Sequence, residues 1–437
     1  MPFDIHPPSF FIGLFIGILL MLLVSRARPI LAEVRESMKQ RQEEAQARRT
    51  STVEENHRRL TLRRAQGMHL AAPLFALDEI IQEPLLLAPP PTISEPGGTP
   101  PFEDIISQTV PYMPSWPELA AVYRAPTMTI PEAISGGTNI VIIGQPGVGK
   151  TVALAHLASL AANRSEKLGS QQDLVPFLVH VADLKLPVSG ERDVLNPIVD
   201  AASENAAVLD LPRIPGFVQN TFKNGAALLL VDGYDELPPD QQNLVSDFFK
   251  LLLQAHPRNV IVTTGAPEYL DGIIGLRFAP LALMTWSAPQ SAKFLDQWSQ
   301  LWSQFVAVEA WAQTGPEQVD PLLLNSWLAL DNATFTPLEL TLKAWGAYAG
   351  DALGPHVLEA IASHIRRVAP ANTPPAALET LAMQVIISSQ PVFDPRKARE
   401  WVKSFEPAEE QVEPAAEGET PANTTEATKT VRREQKV

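Results

Sequence analysis

Residues 141–160 read VIIGQPGVGKTVALAHLASL: an apolar run, a glycine-punctuated loop and an Ala/Leu-rich stretch in direct succession. Gly144, Gly149, Lys150 and Thr151 satisfy the spacing Gly-x-x-x-x-Gly-Lys-Ser/Thr. With average residue frequencies that pattern arises by chance in a chain this long on the order of once in a hundred. The flanks supply the setting the motif requires. Asn139 to Ile143 (NIVII) reads as a buried strand and Val152 to Ala161 as a helix, so the loop joins a strand end to a helix N-terminus. Backbone N–H groups of Gly147 to Thr151 then converge on an anion, the helix dipole adds its positive end, and the glycines permit close approach of phosphate oxygens. The nucleotide-binding set expected here is Gly144, Gln145, Pro146, Gly147, Val148, Gly149, Lys150, Thr151 and Val152. Lys150 reaches for the β- and γ-phosphates, and the Thr151 hydroxyl is offered to Mg²⁺.

A magnesium site of this kind needs an acid at the end of a second strand. Ala226 to Val231 (AALLLV) is a continuous apolar run, as expected of a strand covered on both faces, and it ends in Asp232-Gly-Tyr-Asp235-Glu236. Asp232 is the expected second metal ligand beside Thr151. Asp235 or Glu236 is the expected catalytic group that orients and deprotonates an attacking water.

GQPGVGKT followed by LLLVDGYDEL resembles the NACHT group of STAND signal-transducing P-loop ATPases, whose second acidic motif is an apolar strand followed by Asp-Gly-x-Asp-Glu. Val175 to Leu184 resembles the family's second strand, Asn259 to Thr264 its sensor strand, and Phe335 to Leu340 the helical-domain segment whose proline, here Pro337, lies near the adenine. The resemblance covers roughly Ile130 to Arg367. It implies ATP or ADP with Mg²⁺ as cofactors and a five-stranded parallel sheet of order 5-1-4-3-2. It also implies control of conformation and self-association, or of a protein partner, by the nucleotide. Adenine is favoured over guanine by that resemblance, and no Asn-Lys-x-Asp is present. One departure bears on turnover. Where the family carries an arginine that senses the γ-phosphate, this chain has Thr263-Thr264-Gly265-Ala266-Pro267. Loss of that cation removes transition-state stabilisation without weakening ground-state binding, so slow hydrolysis is expected. Arg277 is the one nearby substitute.

The strands NIVII, VPFLVHV, AALLLV, NVIVTT and LRFAPL alternate with helical stretches, which specifies an α/β fold: a P-loop NTPase sheet with helices on both faces. The expected order of parts is a transmembrane helix at 9–25, a charged helical stalk at 26–67 and a Pro-rich linker at 68–116. The NTPase domain at 117–285 follows, then a helical domain at 286–403 with room for only a truncated winged helix, and a disordered acidic tail at 404–437. In the helical region Phe294, Trp298, Leu301, Trp302 and Phe305 fall at three- and four-residue spacings and read as core.

The membrane expectation rests on FFIGLFIGILLMLLV, residues 10–24, which carries no charge. No Lys or Arg precedes it, unlike a secretory leader, and Arg26, Arg28, Arg35, Lys39 and Arg41 follow it, which orients the chain with its N-terminus outside and the NTPase in the cytoplasm. Gly13 and Gly17 match the small-xxx-small spacing of paired membrane helices. The 437 residues contain no cysteine, which excludes disulfides, thiolate nucleophiles and Cys-ligated metals. A formal charge of −15 argues against a general nucleic-acid binder. The function expected is a membrane-anchored ATP-binding switch. The alternatives are a membrane scaffold that keeps nucleotide as a structural cofactor without turnover and, less favoured because no Arg/Lys-rich lid follows the P-loop domain, a small-molecule kinase.

Overall fold

The computed structural model describes residues 52–87, 127–306, 335–351, 357–369 and 373–388. The expected membrane helix at 9–25, the first half of the expected stalk, residues 88–126 and the acidic tail lie outside the described residues. Among the described residues no helix is long and apolar enough to cross a membrane. The described residues fall into two compact units, one reaching to Ala369 and a second holding residues 373–388.

The first unit opens with helix α1 (52–66), a short α2 (Leu77–Ile80) and a two-stranded antiparallel ribbon of β1 (Leu85–Leu87) and β2 (Thr127–Thr129). Thr129 then caps α3 (Ile130–Ile134), with Glu132 reaching back to the Thr129 amide in a capping box. The main sheet follows: β3 (Ile140–Ile143), α4 (Lys150–Ala162), β4 (Val175–His180), α5 (Asn196–Glu204), α6 (Ile214–Asn224), β5 (Ala227–Asp232), α7 (Pro239–Ala255), β6 (Val260–Gly265), α8 (Asp271–Ile274) and β7 (Ala279–Ala282). Its strands lie in the order β4-β5-β6-β3-β7, and every pairing is parallel. Counted from β3, that is the expected 5-1-4-3-2 read from the other edge.

Period-two alternation splits the strands between two apolar cores, one on each face. Val141, Ile143, Phe177, Val179, Leu229, Val231 and Ile261 join α5, α6 and α7 on one side. Ile140, Ile142, Leu178, Leu228, Leu230, Val260 and Val262 join α3 and α4 on the other. The P-loop helix α4 is buried almost all round, and its alanines at 153, 155, 158 and 161 are fully buried, which lets a helix lie close against the sheet.

The stalk and linker expectations need correction for residues 52–87. Val53, Arg58, Thr61 and Ala65 form a buried stripe on α1, at spacings of five, three and four. The Arg58 guanidinium is 2% exposed; it donates to Ala161 O at 2.6 Å, Asp173 O at 2.9 Å and Leu174 O at 3.1 Å and pairs with Glu54 at 2.8 Å. It thereby ties α1 to the last turn of α4 and the start of β4. Downstream, Ala71, Phe75 and Ile80 pack with Phe294, Leu295, Trp298 and Trp302 in a third apolar cluster. Apolar side chains in a stretch punctuated by proline are held by the helical region rather than left in a solvated linker.

That helical region comprises α9 (Ala288–Leu301), continued by a π-turn at Trp302–Val306, then α10 (Pro337–Tyr348) and α11 (Val357–Val368). The aromatic stripe is core at Phe294, Trp298 and Trp302, whereas Phe305 is 40% exposed. On α11, Leu358, Ile361, Ile365 and Val368 form an exposed apolar row. The second unit presents α12 (Pro375–Ser388), with Met383, Ile386 and Ile387 exposed.

Candidate functional site

The glycine loop leaves the C-terminal end of β3 and re-enters structure at the first turn of α4, so residues 144–149 stand at the carboxyl edge of the sheet. Gly149 caps α4 in the left-handed region at φ 99°, and Gly147 has φ 87°. Space at Gly147 is tight as well: a Cβ there would lie 3.2 Å from Thr336 Oγ1 and 3.5 Å from Leu338 Cβ. The N-terminus of α10 therefore rests directly on the loop, and Leu338 N donates to Gly147 O at 3.1 Å.

Lys150 is 9% exposed and folds back over its own loop, donating to Gly144 O at 2.6 Å and to Gln145 O at 3.3 Å. Its Nζ also pairs with Asp235 Oδ2 at 3.0 Å, across the sheet edge from β5. Asp232, the last residue of β5, is 4% exposed and accepts hydrogen bonds from the hydroxyls of Thr151 and of Thr264, the latter at 3.2 Å. Burial pushes its carboxyl up from the ordinary range, opposed by those hydroxyls and by the nearby His180. The two stretches read from the sequence as one phosphate-and-metal site do meet.

The residues fit a magnesium ion. A buried carboxylate and a hydroxyl in mutual contact make an all-oxygen donor pair, and Mg²⁺ takes one or two protein oxygens and completes its shell with phosphates and water. Thr151 and Asp232 would hold it, and when bound it would neutralise charge between the β- and γ-phosphates.

A cavity of about 490 Å³ extends from this edge into the helical region. Gly147, Val148, Gly149, Thr151 and Val152 line it on the loop side with Pro337 and Leu338 against them, and Trp286, Phe294 and Trp298 line it together with residues between Gly67 and Leu85. Pro337, the proline that the resemblance singles out, is one of the lining residues. The wall contributed by Gly67–Leu85 is a part of the site that the sequence reading took for stalk and linker. Nothing in its spacing marked it; only the Ala71, Phe75 and Ile80 apolar positions hinted at a packed segment.

Beside Thr151 and Asp232 stands a residue that the sequence pattern did not single out. His180 ends β4 in register with Asp232, and its Nε2 lies 3.4 Å from Glu236 Oε2. That contact raises the imidazole above its ordinary value against the opposing pull of burial, with Asp232 and Asp183 adding to the rise. Asp235 and Glu236, read together as catalytic candidates, are separated in role by their neighbours: the first is the counter-ion of Lys150, the second is 47% exposed beside His180. Arg277 does not substitute for the missing sensor cation. It lies in the turn before β7, and because β7 runs parallel to β3 that turn is at the opposite edge from the loop.

Residues 138–298 match the family model of the NACHT domain. Comparison with curated proteins finds no match. Among solved structures, the chain is similar to one of Drosophila ORC bound to DNA, at 13% identity and a TM-score of 0.29, over 72% of this chain and 82% of that one. It is also similar to the Aeropyrum pernix ORC1 protein in complex with DNA, at 16% identity and a TM-score of 0.32, over 67% and 80% of the two chains. Domain III of the Thermotoga maritima replication initiation protein DnaA matches at 14% identity and a TM-score of 0.30, over 60% and 97%.

Proposed function

We propose that this chain, whose residues 138–298 match the family model of the NACHT domain, is a membrane-anchored, nucleotide-dependent signalling switch with slow hydrolysis of ATP. The observation that carries the reading is the convergence of Lys150, Thr151 and Asp232 at one sheet edge, with a cavity leading from them to the helical region. ATP or ADP occupies it with the phosphates on the loop amides and the base toward Pro337 and Trp298.

The switch is the contact between α10 and the loop. Leu338 N and Gly147 O are hydrogen-bonded, so any rearrangement of loop amides around a γ-phosphate is felt at the first turn of α10. A nucleotide biases such an element only by its differential contacts in the two states, and here the third phosphate supplies them. Hydrolysis runs through Glu236: its carboxylate takes a proton from water as the water oxygen bonds to the γ-phosphorus and the bond from phosphorus to the β-phosphate oxygen breaks. ADP and inorganic phosphate are the products. With no arginine at residues 263–267, charge on the transferring group is under-stabilised and turnover is slow.

The apolar stretch at 9–25, followed by five basic residues between Arg26 and Arg41, is the anchor in this reading, with the NTPase on the cytoplasmic side. The exposed row on α11 offers surface for self-association or for a protein partner.

Isothermal calorimetry of ATP and ADP on the detergent-extracted protein tests the site. K150A should abolish measurable binding, and unchanged affinity would refute the assignment. The missing sensor arginine favours a second reading, a scaffold that keeps its nucleotide. Phosphate release separates the two: turnover lost in E236Q supports the switch, and no release under any condition supports the scaffold.

A further inference from the structure

Gly233 stands between Asp232 and the acidic pair, with φ 84°, so it occupies the left-handed region that suits glycine. Its neighbour adds a second constraint. A Cβ at this position would lie 2.8 Å from His180 Cε1 and 3.1 Å from Cδ2, because the imidazole fills the space any side chain would take. The ring is fixed from the other side as well. Its Nδ1 accepts from the Ala182 amide at 3.2 Å, which leaves Nε2 to carry the ring proton, and Nε2 is the atom that faces Glu236. The turn supplying Ala182 is itself held. Asp183 accepts from the His180 amide at 3.3 Å and pairs with Arg64 of α1 at 3.0 Å.

We propose that His180 is a positioning residue for Glu236: its Nε2–H holds the carboxylate in the orientation that receives the proton of the attacking water, and Gly233 is glycine so that the ring can stand there. Glu236 is 47% exposed, and among the described residues His180 is the one ion-pair partner of its carboxylate; holding an exposed side chain in one rotamer has to offset its conformational entropy. A general base left to wander is in hydrogen-bond reach of water for only a fraction of the time. The inference rests on the hydrolytic reading given above.

The test uses four full-length proteins, wild type, H180Q, H180N and H180F, with phosphate release and ATP affinity measured on each. A glutamine amide nitrogen reaches the position of Nε2 and restores the donor toward Glu236; an asparagine reaches only the position of Nδ1 and keeps the Ala182 contact. Turnover should be retained within a fewfold in H180Q and fall on the order of ten- to a hundredfold in H180N and H180F, with ATP affinity unchanged throughout. G233A should match H180F, and E236Q should lose nothing further when combined with H180F. Activity in H180N with loss in H180Q would overturn the proposal, because His180 would then serve only its own turn. Equal turnover in all four, or a fall in ATP affinity that accounts for the loss, would also overturn it. A wild type that binds ATP but releases no phosphate would sink the hydrolytic reading together with this one, whereas equal turnover sinks this one alone. Should H180F fail to fold, the contrast between H180Q and H180N decides.

Discussion

Lys150 has three N–H donors and directs them to Gly144 O, Gln145 O and Asp235 Oδ2, all inside the site. A triphosphate has to replace at least one of these partners. Asp235 is the charged one, so it both holds the lysine and repels the incoming anion. Replacing it by asparagine keeps the shape and removes the negative charge. At the effective dielectric of a partly buried pair the gain is of the order of a kcal/mol or more, and D235N should bind ATP roughly tenfold more tightly. Calorimetry on D235N beside E236Q checks the assignment. Tighter binding in the first with unaltered binding in the second separates a counter-ion from a base, and weaker binding in D235N would mean that Asp235 supports the nucleotide instead. The glycines, the lysine and the acids were legible in the sequence because their chemistry depends on local spacing. The division of labour between Asp235 and Glu236 was not, since it depends on which of two adjacent carboxylates turns back across the sheet edge toward the loop.

Helix α1 shows how an element can be misread from its composition. Its glutamates and arginines suit a solvated stalk, yet the stripe through Val53, Arg58, Thr61 and Ala65 faces the domain, and a buried guanidinium takes the place where an apolar residue would have revealed the period. Arg58 is satisfied by backbone carbonyls of Ala161, Asp173 and Leu174, groups that no sequence pattern can point to. The main sheet, by contrast, was readable strand by strand and in order, because strands buried on both faces become uninterrupted apolar runs. R58A should lower unfolding stability by about 3 kcal/mol, since three carbonyls at the junction of α4 and β4 lose their donor while Glu54 keeps only Arg164. Thermal melts of the full chain, with and without ATP, measure it. A midpoint within a degree of wild type would show that α1 rests on the domain without being tied to it.

At the scale of the whole molecule, buried imidazoles set the response to acid. His57 lies against Phe177 and Phe217, with Nε2 at 2.9 Å from Pro176 O, and burial lowers it from 6.5 to about 4. Burial also lowers His69, His156, His256 and His364, and the two ring nitrogens of His156 have no hydrogen-bond partner. For a histidine whose folded value is depressed, the unfolded chain binds more protons between the two values. Its contribution is therefore complete above 6.5 and is lost as the pH falls toward the folded value. His180 runs the other way, its raised value favouring the folded state in mild acid, and among the described histidines it stands alone against five. The folded protein should accordingly be most stable near neutrality and weaken between pH 6.5 and 4, His57 alone accounting for about 3 kcal/mol of the loss. These histidines sit in α1, in the turn after it, in α4, at the end of α7 and in the helical region, so the weakening spans the whole first unit. Denaturant unfolding at a series of pH values gives the profile directly. H57Q should flatten it by close to one proton's worth of slope while lowering stability at neutrality, and a wild-type profile that stays level from 6.5 down to 4 would show that these rings take up protons without leaving the fold.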